Sequence, residues 1–293
     1  MNQRTLLVTG AHGHLGRRVL ELLVEKKLKN TTIVAGTRDP QKLQAPKGVV
    51  VRKVDFEAAD LDAAFAGVDR LLLISTDALD RPGRRLEQHK AAIAAAQKAG
   101  VKHLLYTSMP NPTPTSKVLL APDHRLTEEA IKAAPFGHTL LRNNLYMDLQ
   151  LGALQGALAA GALYNAAGDG RVAWVSREDC AAVAAAALAD EFDGRRVVDV
   201  SGPAAVSSAE LAAIASGISG KELRHVSLPP SAARDGMVAA GLPAPFAAVL
   251  VSFDEAAADG DLATVTNSVA EFAGRAPTDL KTFLTNNKAA WVK

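Results

Sequence analysis

A single cysteine, Cys180, occurs in 293 residues. One thiol excludes an internal disulfide and any multi-thiolate metal site, and it fits a reducing, cytoplasmic setting. Neither sign of charge dominates, since 33 Lys and Arg stand against 31 Asp and Glu without a basic block. No nucleic acid and no anionic membrane is therefore expected as a partner. Long apolar runs are missing too. The most apolar stretch, Ala181 to Ala189, lies between Asp179 and Asp190 and is about half the length a bilayer crossing needs. It reads as a buried helix with Cys180 packed on it. Thr5-Leu6-Leu7-Val8 is too short for the apolar region of a signal peptide. The seven histidines include no His-Glu-x-x-His, so no metal site is expected. No Gly-x-Ser-x-Gly elbow is present, which removes the usual serine hydrolase arrangement.

What the chain does contain is an alternation of short apolar runs with amphipathic stretches, the pattern of a parallel sheet covered by helices on both faces. Strands are expected at Thr5–Thr9, Thr32–Gly36, Val49–Val54, Arg70–Ile74, Lys102–Thr107 and His138–Leu141, and helices at Leu15–Lys27, near Leu61–Ala66, at Arg85–Ala99 and at Asp123–Ala133. Leu71-Leu72-Leu73-Ile74 is apolar throughout, as a strand buried on both faces must be. The fold class is α/β: a Rossmann-type doubly wound parallel sheet over residues 1–144. A smaller mixed α/β substrate lobe follows over 145–293, some of its elements returning to the core. The stretch Met109 to Pro122 carries four prolines directly after a strand end, and loops of that length are usually functional.

Gly10-Ala11-His12-Gly13-His14-Leu15-Gly16 follows the first strand and opens a helix. In that setting Gly10 permits a tight turn, Gly13 lets backbone approach a pyrophosphate, and Gly16 lets the helix pack on the strand. The helix N-terminus then offers free N–H groups to phosphate. His12 and His14 belong to this loop and not to a metal site. Cofactor choice rests on Val34-Ala35-Gly36-Thr37-Arg38. Where an NAD enzyme places an acid on the ribose, this chain has Arg38, whose planar fork suits a 2′-phosphate. Lys42 stands ready as a second cation, and Asp39 before Pro40 reads as a helix N-cap. NADPH is expected, with NADH the alternative. Asp55 and Phe56 are placed beside the adenine, Ser75 and Thr76 beside the adjoining ribose and the nicotinamide arm.

Short-chain dehydrogenases that reduce ordinary carbonyls protonate the product with a Tyr-x-x-x-Lys pair. Here Tyr106 is followed four places on by Pro110, Tyr146 by Gln150 and Tyr164 by Gly168. In the corresponding helix His124 and Glu128 occupy the spacing. The chain resembles an atypical, NmrA-like short-chain dehydrogenase, and is similar to the type 2 NAD(P)H:quinone oxidoreductases and triphenylmethane reductases. The matching residues are Leu72-Leu73-Ile74-Ser75, Ala99-Gly100-Val101-Lys102-His103, Tyr106-Thr107-Ser108, Leu141-Arg142-Asn143 with Tyr146, Ala166-Ala167-Gly168-Asp169-Gly170 and Ala240-Gly241-Leu242-Pro243. His12, where the group usually has threonine, and the Met109–Pro122 loop depart from the pattern.

That resemblance implies direct hydride transfer from NADPH without a flavin or metal. It places Thr107, Ser108, Arg142, Asn143 and Asn144 around the cofactor, and Tyr106, Met109 and Tyr146 around a planar acceptor. Tyr106, Asn143 and His124 become the candidate catalytic residues, His124 as a proton relay or as a structural residue. A quinone or a cationic dye takes hydride without a strong acid, so orientation of two planar π systems is left to supply most of the acceleration. Reduction of an activated C=C bond is an alternative. A non-catalytic NADP(H) sensor, as in some NmrA-like proteins, is an alternative of another class. Both a monomer and a homodimer are compatible with the sequence.

Overall fold

The computed structural model describes residues 3–293. The first half runs β1 (Arg4–Val8), α1 (His14–Glu25), β2 (Thr31–Thr37), β3 (Val50–Lys53), α2 (Leu61–Ala64), β4 (Arg70–Leu73), α3 (Arg84–Lys98), β5 (His103–Ser108), α4 (Ala121–Ala133) and β6 (Gly137–Asn143). The chain continues through α5 (Gln150–Ala160), β7 (Ala162–Asn165), β8 (Arg171–Val172), α6 (Arg177–Ala189), β9 (Arg195–Val200) and β10 (Val206–Ser207). It closes with α7 (Ser208–Ser219), β11 (Arg224–Ser227), α8 (Pro230–Ala239), α9 (Ala244–Ala258), α10 (Ser268–Ala273), α11 (Leu280–Asn286) and α12 (Lys288–Trp291).

Seven parallel strands form the main sheet in the order β3-β2-β1-β4-β5-β6-β9. The order reverses between β1 and β4, the switch point at which such sheets bind ligands beyond their carboxyl ends. The Rossmann-type sheet read from the sequence is therefore present, and its first six strands begin and end within a few residues of expectation. The seventh, β9, comes from beyond residue 144 and pairs with β6 from His138↔Arg195 to Asn143↔Val200.

Burial explains the two layers. Helix α1 turns Leu15, Val19, Leu20 and Leu23 onto one face of the sheet, at the spacing that makes one apolar stripe. Beside it lies α6, where Cys180, Ala181, Ala184, Ala185 and Ala187 are fully buried. Small side chains all round let this helix approach α1 and the sheet closely. Ser176 starts α6 by accepting the backbone N–H of Asp179 at 3.0 Å, a standard N-cap. On the opposite face Ala92, Ile93 and Ala96 of α3 and Ile131 of α4 pack against Leu71, Leu73, Leu104 and Tyr106. A separate apolar cluster around Leu154, Leu211, Leu284 and Trp291 holds the C-terminal helices together. No helix among the described residues is long and apolar enough to cross a membrane.

Candidate functional site

The carboxyl ends of β1 to β4 open into a cleft of about 650 Å³. Its floor is the first turn. Gly10 takes φ +60, a left-handed conformation that glycine adopts without strain. The turn is pinned to β2 by Ala11 N–H donating to the Gly36 carbonyl at 3.1 Å, and closed by Gly13 N–H donating to Gly10 at 3.0 Å. A Cβ on Gly16 would lie 2.9 Å from the Gly10 carbonyl carbon and 3.1 Å from the Ala11 Cα, so α1 can approach the turn only through glycine. Gly13 is the N-cap of α1 and supplies no side-chain cap. The first-turn amides are therefore left without a side-chain cap, at a helix start whose N-cap Gly13 lines the cleft.

Gly10, His12, Gly13, Arg38, Asp55, Phe56, Ser75 and Thr76 all line this cleft. Ala11 and Leu15 are instead buried behind the loop, and His14 is exposed at the helix start. Arg38 is exposed and has no carboxylate partner among the described residues, whereas Arg84 on the same rim is held by Glu57 at 2.6 Å and Asp80 at 2.8 Å. Hydrogen bonds from Arg84 and Gln88 bring the Glu57 carboxyl down to about 2. Lys42 is a correction to the expected second cation: it does not line the cleft, and its ammonium pairs with Asp39 at 2.9 Å. Asp39 precedes a short turn at Pro40–Lys42 but makes no side-chain cap.

The β4 loop is held by side chains that sequence inspection did not find. Thr9 accepts from Ile74 N–H at 2.9 Å, Thr107 from Ser75 N–H at 2.8 Å, and His89 Nε2 from Thr76 N–H at 3.0 Å. Arg85 Nε donates to the Thr76 carbonyl at 2.7 Å. Four side chains, from the end of β1, from β5 and from α3, thus fix three consecutive residues. Thr107 does not itself line the cleft but reaches Ser75, which does, with a 3.3 Å hydroxyl contact.

Behind that loop lies a buried polar network whose tautomers follow from the donors. Backbone and guanidinium N–H groups only donate, so His89 and His124 both accept through Nε2, the latter from Arg85 at 2.8 Å. The Nδ1–H of His89 then donates to Thr127 at 3.0 Å, and that of His124 to the Tyr106 hydroxyl at 2.9 Å. Burial, reinforced by the Arg85 charge, lowers His89 to about 3 and His124 well below the ordinary value. Burial likewise raises the Tyr106 phenol. Here the structure corrects the expected catalytic set. Tyr106 exposes none of its surface and His124 only 6%, because alternation along β5 turns Tyr106 toward α3 and α4 while Thr107 faces the other way. Enclosed there with both ring nitrogens engaged, His124 stands in the structural place that the sequence offered as the alternative to a relay.

Ser108 is also occupied, donating to Glu128 at 2.7 Å. Glu128 is buried and accepts a fork from Arg142 at 2.9 and 2.8 Å, with Lys132 at 3.0 Å. Burial alone would raise this carboxyl, but the Arg142, Ser108 and Lys132 hydrogen bonds outweigh it and the net shift is downward. Met109 departs from the expected acceptor contact: it packs with Val118, Ala121 and Val172 in the interior. The proline-rich loop is tied down by Leu119 N–H to Ser252 at 3.1 Å and Asn111 to the Asp261 carbonyl at 3.0 Å.

At the end of β6, Asn143 Nδ2 donates to the Tyr146 hydroxyl at 3.2 Å, while Asn143 Oδ1 is buried without a partner. Such an acceptor needs a donor that the described residues do not supply. The Tyr146 ring is stacked by the Arg177 guanidinium at 5.3 Å. Arg142 and Asn144 line a second, smaller cavity and not the main cleft. Among the described residues no three His, Cys, Asp or Glu side chains converge as a metal site would require.

A family model described as NAD(P)H-binding matches residues 10–191. The chain is 35% identical to quinone oxidoreductase 2 of Escherichia coli K12 over 94% of this chain and 96% of that protein. The crystal structure of an NADPH-dependent quinone oxidoreductase of E. coli complexed with NADPH superposes with a TM-score of 0.90 at 34% identity, covering 96% of this chain and 99% of that one. Citrobacter triphenylmethane reductase complexed with NADP(H) gives 0.88 at 32% identity, covering 96% and 99%. The NAD(P)H azoreductase of Xenophilus azovorans is 29% identical over 98% of this chain and 99% of its own length.

Proposed function

The chain belongs to the NAD(P)H-binding family and is an NmrA-like reductase, and from that premise we propose that it is an NADPH-dependent oxidoreductase delivering hydride directly, without a flavin, to a quinone or a similar planar conjugated acceptor. The observation that carries the proposal is the glycine turn opening on a cleft whose far rim presents Arg38 with no carboxylate partner among the described residues. In this reading the first-turn amides of α1 hold the diphosphate, Arg38 the 2′-phosphate, Asp55 and Phe56 the adenine, and Ser75 and Thr76 the adjoining ribose. The bound coenzyme supplies the hydride. Residues 1–144, joined by α6 and β9, form the nucleotide core, and the rest of 145–293 shapes the acceptor side.

The chain's own part in the chemistry is orientation. Thr9, Thr107, His89 and Arg85 hold the β4 loop, and Asn143 Oδ1 offers one buried acceptor at the nicotinamide end. Tyr106 and His124 are sealed behind the sheet, so neither is placed to protonate an acceptor there. Quinones and cationic dyes, which do not need a strong acid, are favoured over enones, which take a proton at carbon. The second reading, dye reduction, is supported by the likeness to the Citrobacter enzyme.

NADPH oxidation followed with a panel of quinones, cationic dyes and activated alkenes tests the proposal. Turnover is expected with quinones and dyes and to be slow with alkenes. Tight NADPH binding with no oxidation by any of these acceptors would replace the enzyme with a cofactor sensor.

A further inference from the structure

Beyond the main cleft, the carboxyl ends of β5, β6 and β9 border an open cavity of about 160 Å³, lined by Arg142, Asn144, Asp199, Ser201, Asn111 and Thr264 among others. Both openings lie on one edge of one sheet, the cleft over β1 to β4 and the cavity over the strands beyond. At about 4.8 Å between neighbouring strands, the β4 and β6 ends stand roughly 10 Å apart, so an acceptor must lie along this edge to bring a substituent to the cavity. A cavity of about 150 Å³ is enough for a benzene ring, so the space readily takes a compact polar substituent.

The chemistry of the group follows from which polar atoms are already used. Asn144 donates to the Leu262 carbonyl at 3.0 Å and accepts from Leu145 N–H at 2.8 Å. Ser201 donates to the Gly202 carbonyl at 3.0 Å and accepts from Thr266 N–H at 2.8 Å. These two are walls. Arg142 and Asp199 are cross-strand neighbours, yet they do not pair. Arg142 spends Nε and Nη2 on Glu128, which leaves Nη1 as a donor. Asp199 is anchored through its backbone carbonyl, which accepts from Thr266 and Ser268 hydroxyls at 2.7 Å each. Its carboxyl has no hydrogen-bond or ion-pair partner among the described residues, and burial raises it.

We propose that Arg142 and Asp199 form a polar subsite that selects acceptors carrying a neutral substituent able to accept one hydrogen bond and donate another, of the hydroxymethyl or carboxamide kind. Arg142 donates to the substituent's oxygen and Asp199 accepts from its O–H or N–H. A carboxylate gains Arg142 but meets the Asp199 carboxyl and an ammonium gains Asp199 but meets Arg142, whereas a neutral donor and acceptor group is matched to both. The inference rests on the quinone reading above and deepens it.

The test is calorimetric binding to the NADP⁺-loaded protein of three ligands that differ at one position: a methyl naphthoquinone, its hydroxymethyl analogue and its carboxylate analogue. The hydroxymethyl compound is expected to bind about tenfold tighter than the methyl one, the effect of one good hydrogen bond, with the carboxylate weakest. Asp199→Ala should erase the hydroxymethyl preference and leave the NADP⁺ Kd unchanged, while Asp199→Asn, which keeps an acceptor oxygen, should retain most of it. Equal affinities in the natural protein, or a preference that survives Asp199→Ala, overturns the subsite. Loss of NADP⁺ affinity in both variants would give the cavity to the coenzyme and overturn it as well. NADPH oxidation by the methyl quinone is measured alongside. Its absence refutes the quinone reading, whereas its presence with no substituent preference refutes only this inference.

Discussion

The His89 ring, at the middle of α3, accepts the backbone N–H of Thr76 through Nε2 at 3.0 Å. A helix on the far face of the sheet thereby sets the path of the loop after β4, while the Nδ1–H of the same ring is committed to Thr127. His89→Leu keeps the bulk and removes the acceptor. A net hydrogen bond is worth about 1 kcal/mol, so KM for NADPH should rise roughly fivefold with kcat changing less. Steady-state kinetics decide the matter: an unchanged KM would mean the loop holds its shape without the imidazole.

The buried histidines also make stability fall in acid. Unfolded, each titrates near 6.5; folded, His89 and His103 are lowered to about 3 by burial and then by neighbouring arginines, and His124 lies well below the ordinary value for the same reasons. The unfolded chain therefore binds protons that the folded chain refuses. Stability is full above 6.5 and declines as pH falls through the window from 6.5 down to about 3. At pH 5.5 each such histidine costs about 1.4 kcal/mol. Urea midpoints measured from pH 7.5 to 5.5 should drop steeply, and a flat profile would mean that these rings accept protons while folded.

Much of this site was legible because strand ends are legible. Gly10, Gly13, Arg38, Asp55, Phe56, Ser75 and Thr76 each stand within a few residues of a β-branched or leucine run, and the topology alone brings those ends to one edge. What sequence could not supply was orientation. The matching Tyr106-Thr107-Ser108 stretch marks the neighbourhood, but alternation sends Thr107 to the β4 loop and Tyr106 to the helices behind. Thr9, Arg85 and His89 were missed because their partners are backbone groups on other elements, and Asp199 because its carboxyl has no partner among the described residues to mark it. The only signal available beforehand was the oddity of His and Arg on the inward face of α3.

Tyr106→Phe separates packing from chemistry. Removing the hydroxyl strands the buried Nδ1–H of His124, which costs about 1 to 3 kcal/mol. The thermal midpoint should fall while kcat/KM with a quinone stays within about twofold. The opposite pattern, a large loss of turnover in a protein of unchanged stability, would return the phenol to the acceptor.

Gly16→Ala tests the cradle. Its new Cβ would press on the Gly10 carbonyl and the Ala11 Cα, both backbone and unable to swing aside, so α1 must retreat from the turn. NADPH affinity should drop more than tenfold and stability by about 1 to 3 kcal/mol. Alanine at Gly152, an exposed helical position with open space around it, should leave coenzyme binding intact. Equal affinities in the two variants, read by fluorescence titration, would detach the turn from the diphosphate.

Arg38 decides between the two coenzymes. Its guanidinium stands on the rim with no carboxylate in reach among the described residues, whereas Lys42 is drawn to Asp39 and Arg84 to Glu57 and Asp80. A charge-assisted hydrogen bond to phosphate contributes about 1.5 to 3 kcal/mol, less where water screens it. Arg38→Ala should therefore raise KM for NADPH about tenfold and leave NADH almost unchanged, and the NADPH penalty should shrink as salt is added. Arg38→Lys keeps the charge without the planar fork and should fall between. A loss shared equally by NADPH and NADH would show that Arg38 supports the cleft as a whole and that another group holds the 2′-phosphate.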